Sequence, residues 1–64
     1  MIVWNIENYR LEKQCYKPET VYDILIDYFD TSEEEAIEAE SWAELACVGE
    51  TYYGDNFIII VDEE

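Results

Sequence analysis

The 64-residue sequence contains no histidine, only three basic residues, two glycines, one proline and two cysteines. Without histidine there is no imidazole for a nucleophilic triad or for a histidine-based zinc site. Two cysteines are too few for a zinc site of four thiolates, and two glycines are too few for a glycine-rich phosphate loop. A chain this short also leaves little room for a cleft that would enclose a substrate. We therefore expect no catalytic residues, no cofactor and no enzymatic activity.

Calcium is the one metal that the composition leaves open. Asp27, Asp30, Ser32 and Glu34 carry oxygen atoms close together in sequence. Oxygen atoms are the ligands of calcium, but an EF-hand loop places them at alternate positions around a central glycine. The spacing here does not match that loop, so no metal site is assigned.

Positive charge is scarce and unevenly distributed. Seventeen acidic residues against three basic ones give a formal net charge of -14 at pH 7. The cations Arg10, Lys13 and Lys17 all lie in the first 17 residues, and 15 of the 17 acids follow them. Nucleic-acid phosphates and anionic membrane surfaces attract clustered lysine and arginine. Direct binding to either is therefore not expected.

Highly charged chains are often disordered, but this one is rich in apolar residues. Half of it is hydrophobic, ten residues are aromatic, and Phe57–Val61 is an uninterrupted apolar run. Disordered chains lack such residues, so we expect one folded domain over 1–64. No stretch approaches the roughly 20 apolar residues of a transmembrane helix. The start of the chain lacks the features of a signal peptide, so the predicted location is the cytoplasm, with both cysteines reduced.

The spacing of apolar residues predicts a first helix over about 18–29. Val21, Ile24, Leu25 and Tyr28 follow the i, i+3, i+4, i+7 pattern of a buried helical stripe. The single proline, at the start of this segment, is tolerated in the first turn of a helix.

A second helix is predicted to follow almost directly. Both Thr31–Glu34 and Ser32–Glu35 fit the capping box that begins a helix. This helix is expected to run to about Val48, with Gly49 as its left-handed cap. Cys47 falls in its apolar part and is expected in the core.

The remaining segments predict strands. Ile2, Trp4 and Ile6 alternate with more polar residues, which is typical of a half-buried strand. Thr51–Tyr53 and Phe57–Val61 flank a turn and predict a hairpin whose apolar second strand is central in the sheet. The predicted fold class is α+β, a small β-α-α-β-β domain with a three-stranded antiparallel sheet and two helices packed on one face.

Two helices cover only one face of such a sheet, so the other face is left apolar. Either Ile59 with its alternate neighbours or Ile58 with Ile60 then points outward. Exposed apolar faces of this kind mark interfaces. The alternative is that the segment Tyr9–Tyr16, whose structure the pattern leaves open, folds across this face.

Acidic residues line the predicted helices in rows with no interleaved cation. Like charges in one row destabilise a helix by roughly 0.2–0.5 kcal/mol per pair, and scattered acids would serve solubility equally well. The rows comprise Glu19, Asp23, Asp27 and Asp30 on the first helix, Glu33, Glu40 and Glu44 on one side of the second, and Glu34 and Glu38 on its other side. The predicted partner-binding residues are these nine acids together with Trp42, Tyr52 and Tyr53, whose aromatic rings would anchor the contact.

Rows of carboxylates resemble the regular ladder of phosphates along DNA. A protein that normally holds nucleic acid in a groove lined with lysine and arginine would therefore accept this surface. The predicted partner is a basic nucleic-acid-binding protein rather than nucleic acid itself.

In size, charge and helix-plus-sheet layout, the sequence resembles the small acidic inhibitors encoded by phages and mobile elements. These include anti-CRISPR and anti-restriction proteins, some of which are DNA mimics. The resemblance rests on overall character rather than on a motif, so it assigns no individual residues. It implies a viral protein that blocks the DNA-binding surface of a CRISPR nuclease or a restriction enzyme in the host cytoplasm.

Two other functions fit the same sequence. One is a homodimeric adaptor or other interaction module that uses the apolar sheet face, with the acids serving solubility. The other is the acidic antitoxin of a toxin–antitoxin pair.

Overall fold

A computed structural model describes all 64 residues, which form six elements in the order β-β-α-α-β-β. The elements are β1 (Ile2–Glu7), β2 (Glu12–Cys15), α1 (Thr20–Tyr28), α2 (Glu33–Leu45), β3 (Thr51–Tyr53) and β4 (Ile58–Glu63). The α+β class and the antiparallel sheet are confirmed. The predicted β-α-α-β-β order with three strands is wrong, because the sheet has four strands in the order β2-β1-β4-β3.

The additional strand, β2, comes from the segment that the apolar pattern left open. The Asn8 side-chain oxygen accepts hydrogen bonds from the backbone N–H groups of Arg10 and Leu11, at 2.8 and 2.9 Å. Asparagine favours turns through such local bonds, and here they reverse the chain after β1. The segment 9–16 therefore forms a hairpin and an edge strand, and it does not fold across the sheet.

The register of the sheet separates an inner face from an outer face. Trp4 lies opposite Val61 and Ile6 lies opposite Ile59, and all four side chains are buried in the core. Ile60 is paired with Asn5 and points to the other side of the sheet. The helices cover the first of these faces, so Ile58 and Ile60 belong to the outer face.

Helix α1 is shorter than predicted at its start. The backbone N–H of Val21 donates to the Pro18 carbonyl at 3.1 Å, so the proline closes a tight turn just before the helix. At the other end, Asp30 has a left-handed φ of 54° and the Thr31 N–H donates to the Leu25 carbonyl at 3.2 Å. The same carbonyl accepts the Phe29 N–H at 3.2 Å, so two N–H groups close the end of the helix on one oxygen.

Helix α2 begins as predicted, because the Ser32 hydroxyl accepts a hydrogen bond from the Glu35 N–H at 3.3 Å. Three alanines, Ala36, Ala39 and Ala43, are fully buried along the side of α2 that faces the core. Small side chains there allow the helix backbone to approach its neighbours closely, and α2 packs on α1.

The predicted end of α2 is wrong. The helix stops at Leu45, and Ala46 is already extended, with ψ of 148°. Gly49 has a left-handed φ of 98°, but it lies in a separate turn in which the Glu50 N–H donates to the Cys47 carbonyl. Cys47 is consequently exposed, and the buried thiol is that of Cys15. Burial raises the pKa of the Cys15 thiol, and the nearby charge of Glu19 raises it further.

The β3–β4 hairpin is as predicted, with β4 between β1 and β3. Its turn is closed by the Gly54 N–H, which donates to the Phe57 carbonyl at 2.9 Å. The Phe57 ring lies directly over Gly54, so a Cβ at that position would overlap the ring. No helix in the protein has the length and apolar character needed to cross a bilayer.

Candidate protein-interaction surface

The acidic rows lie on the outward sides of α1 and α2. Eight of the nine predicted acids are exposed, and Glu40 is half-buried. On α2, the row of Glu33, Glu40 and Glu44 follows the side next to α1, while Glu34 and Glu38 follow the opposite side. Asp30 lies beyond the end of α1, in the turn that separates the two helices.

Acids of both helices converge on Tyr22 of α1. Its hydroxyl donates a hydrogen bond to Glu33 Oε2 at 3.1 Å, across the gap to α2. This bond raises the pKa of Tyr22, and the charges of Glu33, Asp23 and Glu40 raise it further. One acid of the α1 row and two of the neighbouring α2 row therefore lie near a single hydroxyl.

A second cluster surrounds Tyr52 of β3. Its hydroxyl donates to Glu38 Oε1 at 2.9 Å. Desolvation by burial, the bond to Glu38, and the charges of Glu38, Glu35 and Asp55 raise the pKa of Tyr52 to about 12. Glu35 and Asp55 were missing from the predicted site. They meet because Glu35 Oε2 accepts the Asp55 N–H at 3.0 Å, a tertiary contact that helical spacing does not reveal.

The carboxylates on the helices are not neutralised by cations. The hydrogen bonds that Glu33, Glu35 and Glu38 accept come from tyrosine hydroxyls and a backbone N–H. The Lys13 ammonium lies 4.3 Å from the centre of the Tyr28 ring, and the Arg10 guanidinium lies 6.0 Å from that of Tyr9. Arg10 and Lys13 thus lie against aromatic rings, one in the β1–β2 turn and the other at the end of α1.

The three predicted aromatic anchors do not form one group. Trp42 and Tyr52 are half-buried, with ring centres 5.4 Å apart, and Tyr52 stacks on Phe57 at 6.0 Å. They belong to an aromatic row that extends into the core through Phe29. Tyr53 is 79% exposed and, as the neighbour of Tyr52 in a strand, points to the outer face of the sheet. The helical acids are therefore next to Trp42 and Tyr52 but not next to Tyr53.

No group of three or more acidic or cysteine side chains converges closely enough to hold a metal ion. Two open grooves lie near the hairpin tips. The first is lined by residues of both tips, including Asn8, Tyr9, Asp55 and Asn56. Of the predicted site residues, only Asp30 lines either groove. The candidate site is accordingly a convex charged surface rather than a pocket.

Comparison with family models, curated proteins and solved structures found no match to this chain.

Proposed function

We propose that the protein is an acidic inhibitor that occupies the basic nucleic-acid-binding surface of another protein, as a DNA mimic. The observation that carries this proposal is the contact between the acidic surfaces of α1 and α2 at Tyr22, whose hydroxyl donates to Glu33 at 3.1 Å with no cation bonded there. Solubility does not require acids from two helices to meet. A cationic partner would relieve the repulsion that this arrangement creates.

The density of charge on α2 supports the comparison with DNA. The helix has 13 residues, six of which are glutamates. At about 1.5 Å per residue it is about 20 Å long, which gives one carboxylate for about every 3.3 Å of axis. DNA carries one phosphate for about every 3.4 Å of axis on each strand. A groove that binds phosphates at that spacing would meet a similar linear density of charge.

The target class that we propose is a host defence nuclease, either a CRISPR effector or a restriction enzyme, in the host cytoplasm. CRISPR effectors hold nucleic acid in positively charged channels and read it largely through its backbone and shape. A small protein with carboxylates at phosphate-like density would compete for such a channel. Long-range attraction would also accelerate its association with the nuclease.

The decisive experiment reverses four helical acids together, Asp23, Asp27, Glu40 and Glu44, each to Lys. Binding to a panel of purified CRISPR nucleases and restriction enzymes is measured by calorimetry, with DNA cleavage as a second readout. We expect the native protein to inhibit at least one nuclease, to be displaced by its DNA substrate and to dissociate with added salt. The quadruple variant is expected to lose binding.

A matched control replaces four acids of the sheet with Lys and so changes the net charge by the same amount. These acids are Glu7, Glu12, Asp62 and Glu63. Retained inhibition by this control shows that the position of the charges matters, and not only their sum. If every nuclease binds the helical variant as well as it binds the native protein, the DNA-mimic proposal is wrong.

The outer sheet face supports a second candidate function, that of a homodimeric adaptor. Ile58 and Ile60 are half-buried on that face, and no helix covers them. Native mass spectrometry at several protein concentrations tests this candidate. A dimer that is insensitive to salt and is lost in Ile58→Asp or Ile60→Asp would favour it over the inhibitor.

A further inference from the structure

The outward side of α2 carries two exposed apolar side chains, with a serine between them, among its glutamates. Ile37, Ser41 and Leu45 are spaced four residues apart and therefore form one ridge along the helix. Ile37 is 50% exposed and Leu45 is 86% exposed. The internal packing of α2 does not use this ridge, because its buried residues are alanines on the opposite side.

Acids border the ridge on both sides. Glu38 lies toward β3, since it accepts the hydrogen bond of the Tyr52 hydroxyl, and Glu34 precedes it by one turn. Glu40 lies toward α1, since it is two turns along the helix from Glu33, which accepts the hydrogen bond of the Tyr22 hydroxyl, and Glu44 follows it by one turn. The two apolar side chains and the small serine between them are thus enclosed between two negative edges.

This charge pattern selects the occupant. A second copy of the chain would place the same glutamates against these edges, and each copy carries a net charge of -14. Juxtaposed like charges oppose such an association. A partner helix whose apolar row is bordered by lysine or arginine complements both the centre and the edges.

We propose that the ridge of Ile37, Ser41 and Leu45 docks a cationic amphipathic helix of the partner protein. The inference rests on the proposed function and adds to it, because it names the structure in the target that the inhibitor contacts. Ridges of one helix pack into the grooves of another, so apolar contact gives register while the flanking ion pairs give orientation.

Three synthetic helical peptides test the proposal. The first has leucines at i, i+4 and i+8 with lysines on both flanks, and the second replaces those leucines with serine at the same net charge. The third keeps the leucines but has glutamates on the flanks. Binding is measured by calorimetry at near-physiological salt, and ¹⁵N chemical shifts locate the contact.

We expect the first peptide to bind roughly tenfold or more tightly than the second, because burial of apolar side chains supplies the difference. The third should not bind. The double variant Ile37→Ser/Leu45→Ser should bind the first two peptides equally. In the complex of the native protein with the first peptide, the changes in ¹⁵N chemical shift should be centred on α2. Tyr9→Ser removes a side chain that is 92% exposed in the β1–β2 turn and should leave the preference intact. Circular dichroism checks that each variant is folded.

Each other result overturns the proposal in a distinguishable way. Equal affinity for the first two peptides means that charge alone drives binding, which leaves the proposed function in place but removes the role of the ridge. Binding of neither cationic peptide overturns the docking of a cationic helix, whereas the proposed function is decided separately by the nuclease panel. Equal binding of the glutamate peptide excludes charge selection by the ridge. A dimer in sedimentation that is lost in Ile37→Ser/Leu45→Ser assigns the ridge to a second copy.

Discussion

The hydroxyl of Tyr52 lies among carboxylates. We therefore expect the stability of the fold to decrease at high pH. The pKa of Tyr52 is raised from 10.0 to about 12 in the folded protein. Between these values the unfolded chain loses the proton while the folded chain retains it, so the free energy of unfolding falls as pH rises through this window. Below it the stabilisation is fully present. Melting temperatures followed by circular dichroism from about pH 8 to about pH 11.5 should decline less steeply in Tyr52→Phe than in the native protein.

Two further tyrosine variants isolate this effect. Tyr53→Phe changes a side chain that is 79% exposed on the other face of the sheet. The melting temperature of this variant should decline with pH as steeply as that of the native protein. The pKa of Tyr22 is also raised by its bond to Glu33, so the double variant Tyr22→Phe/Tyr52→Phe should show the shallowest decline. Equal slopes in the native protein and Tyr52→Phe would contradict the assignment.

The two cysteines show where sequence patterns fail at the level of single residues. Cys47 was expected in the core because α2 was extended to Val48, whereas the structure ends the helix at Leu45 and exposes the thiol. Cys15 is buried because it lies opposite Trp4 on the inner face, in a strand that the sequence did not reveal. The burial of one residue depends on the boundaries of its element, which are the least certain part of a sequence-based prediction.

At the scale of elements, the alanines of α2 set how closely it packs in the core. Ala39 is fully buried, so Ala39→Leu forces three additional carbon atoms into filled space. Overpacking of this kind typically costs about 1–3 kcal/mol of unfolding free energy. Urea denaturation should show this loss. Ser41→Leu, on the exposed side of the same helix, should change stability by less than about 0.5 kcal/mol. Similar losses in both variants would mean that the alanine side does not define the packing.

The elements that were predicted correctly are those with a strong local signal. Alternation identified β1, the continuous apolar run identified β4, and the Ser32 cap identified the start of α2. Strand β2 gave no such signal, because it is an edge strand whose residues are mostly polar. The acidic rows likewise followed from helical spacing, whereas the cluster of Glu35 and Asp55 at Tyr52 depends on a contact between distant parts of the chain.

At the scale of the whole molecule, net charge should make the fold sensitive to salt. The protein measures 27 × 23 × 17 Å. At about 0.01 M salt the screening length is about 30 Å, so every carboxylate repels every other across the molecule, whereas at about 1 M it is about 3 Å. We expect the melting temperature to rise by several degrees over this range at neutral pH. The variant Glu40→Lys/Glu44→Lys has a smaller net charge, so its melting temperature should rise less with salt. A melting temperature of the native protein that falls with salt would contradict the prediction.

The pairing of β1 with β4 also determines the order in which the fold can assemble. The chain is built from a β-hairpin, a helical hairpin and a second β-hairpin, each of which joins neighbouring segments. The contact that unites the sheet, however, joins Glu7 to Ile58 across residues 8–57. Closing a loop of this length costs about 3.5 kcal/mol of chain entropy before any contact compensates it. We therefore expect the centre of the sheet to form after its flanks. The inner face of β1 therefore stays without its central partner until β4 pairs with it.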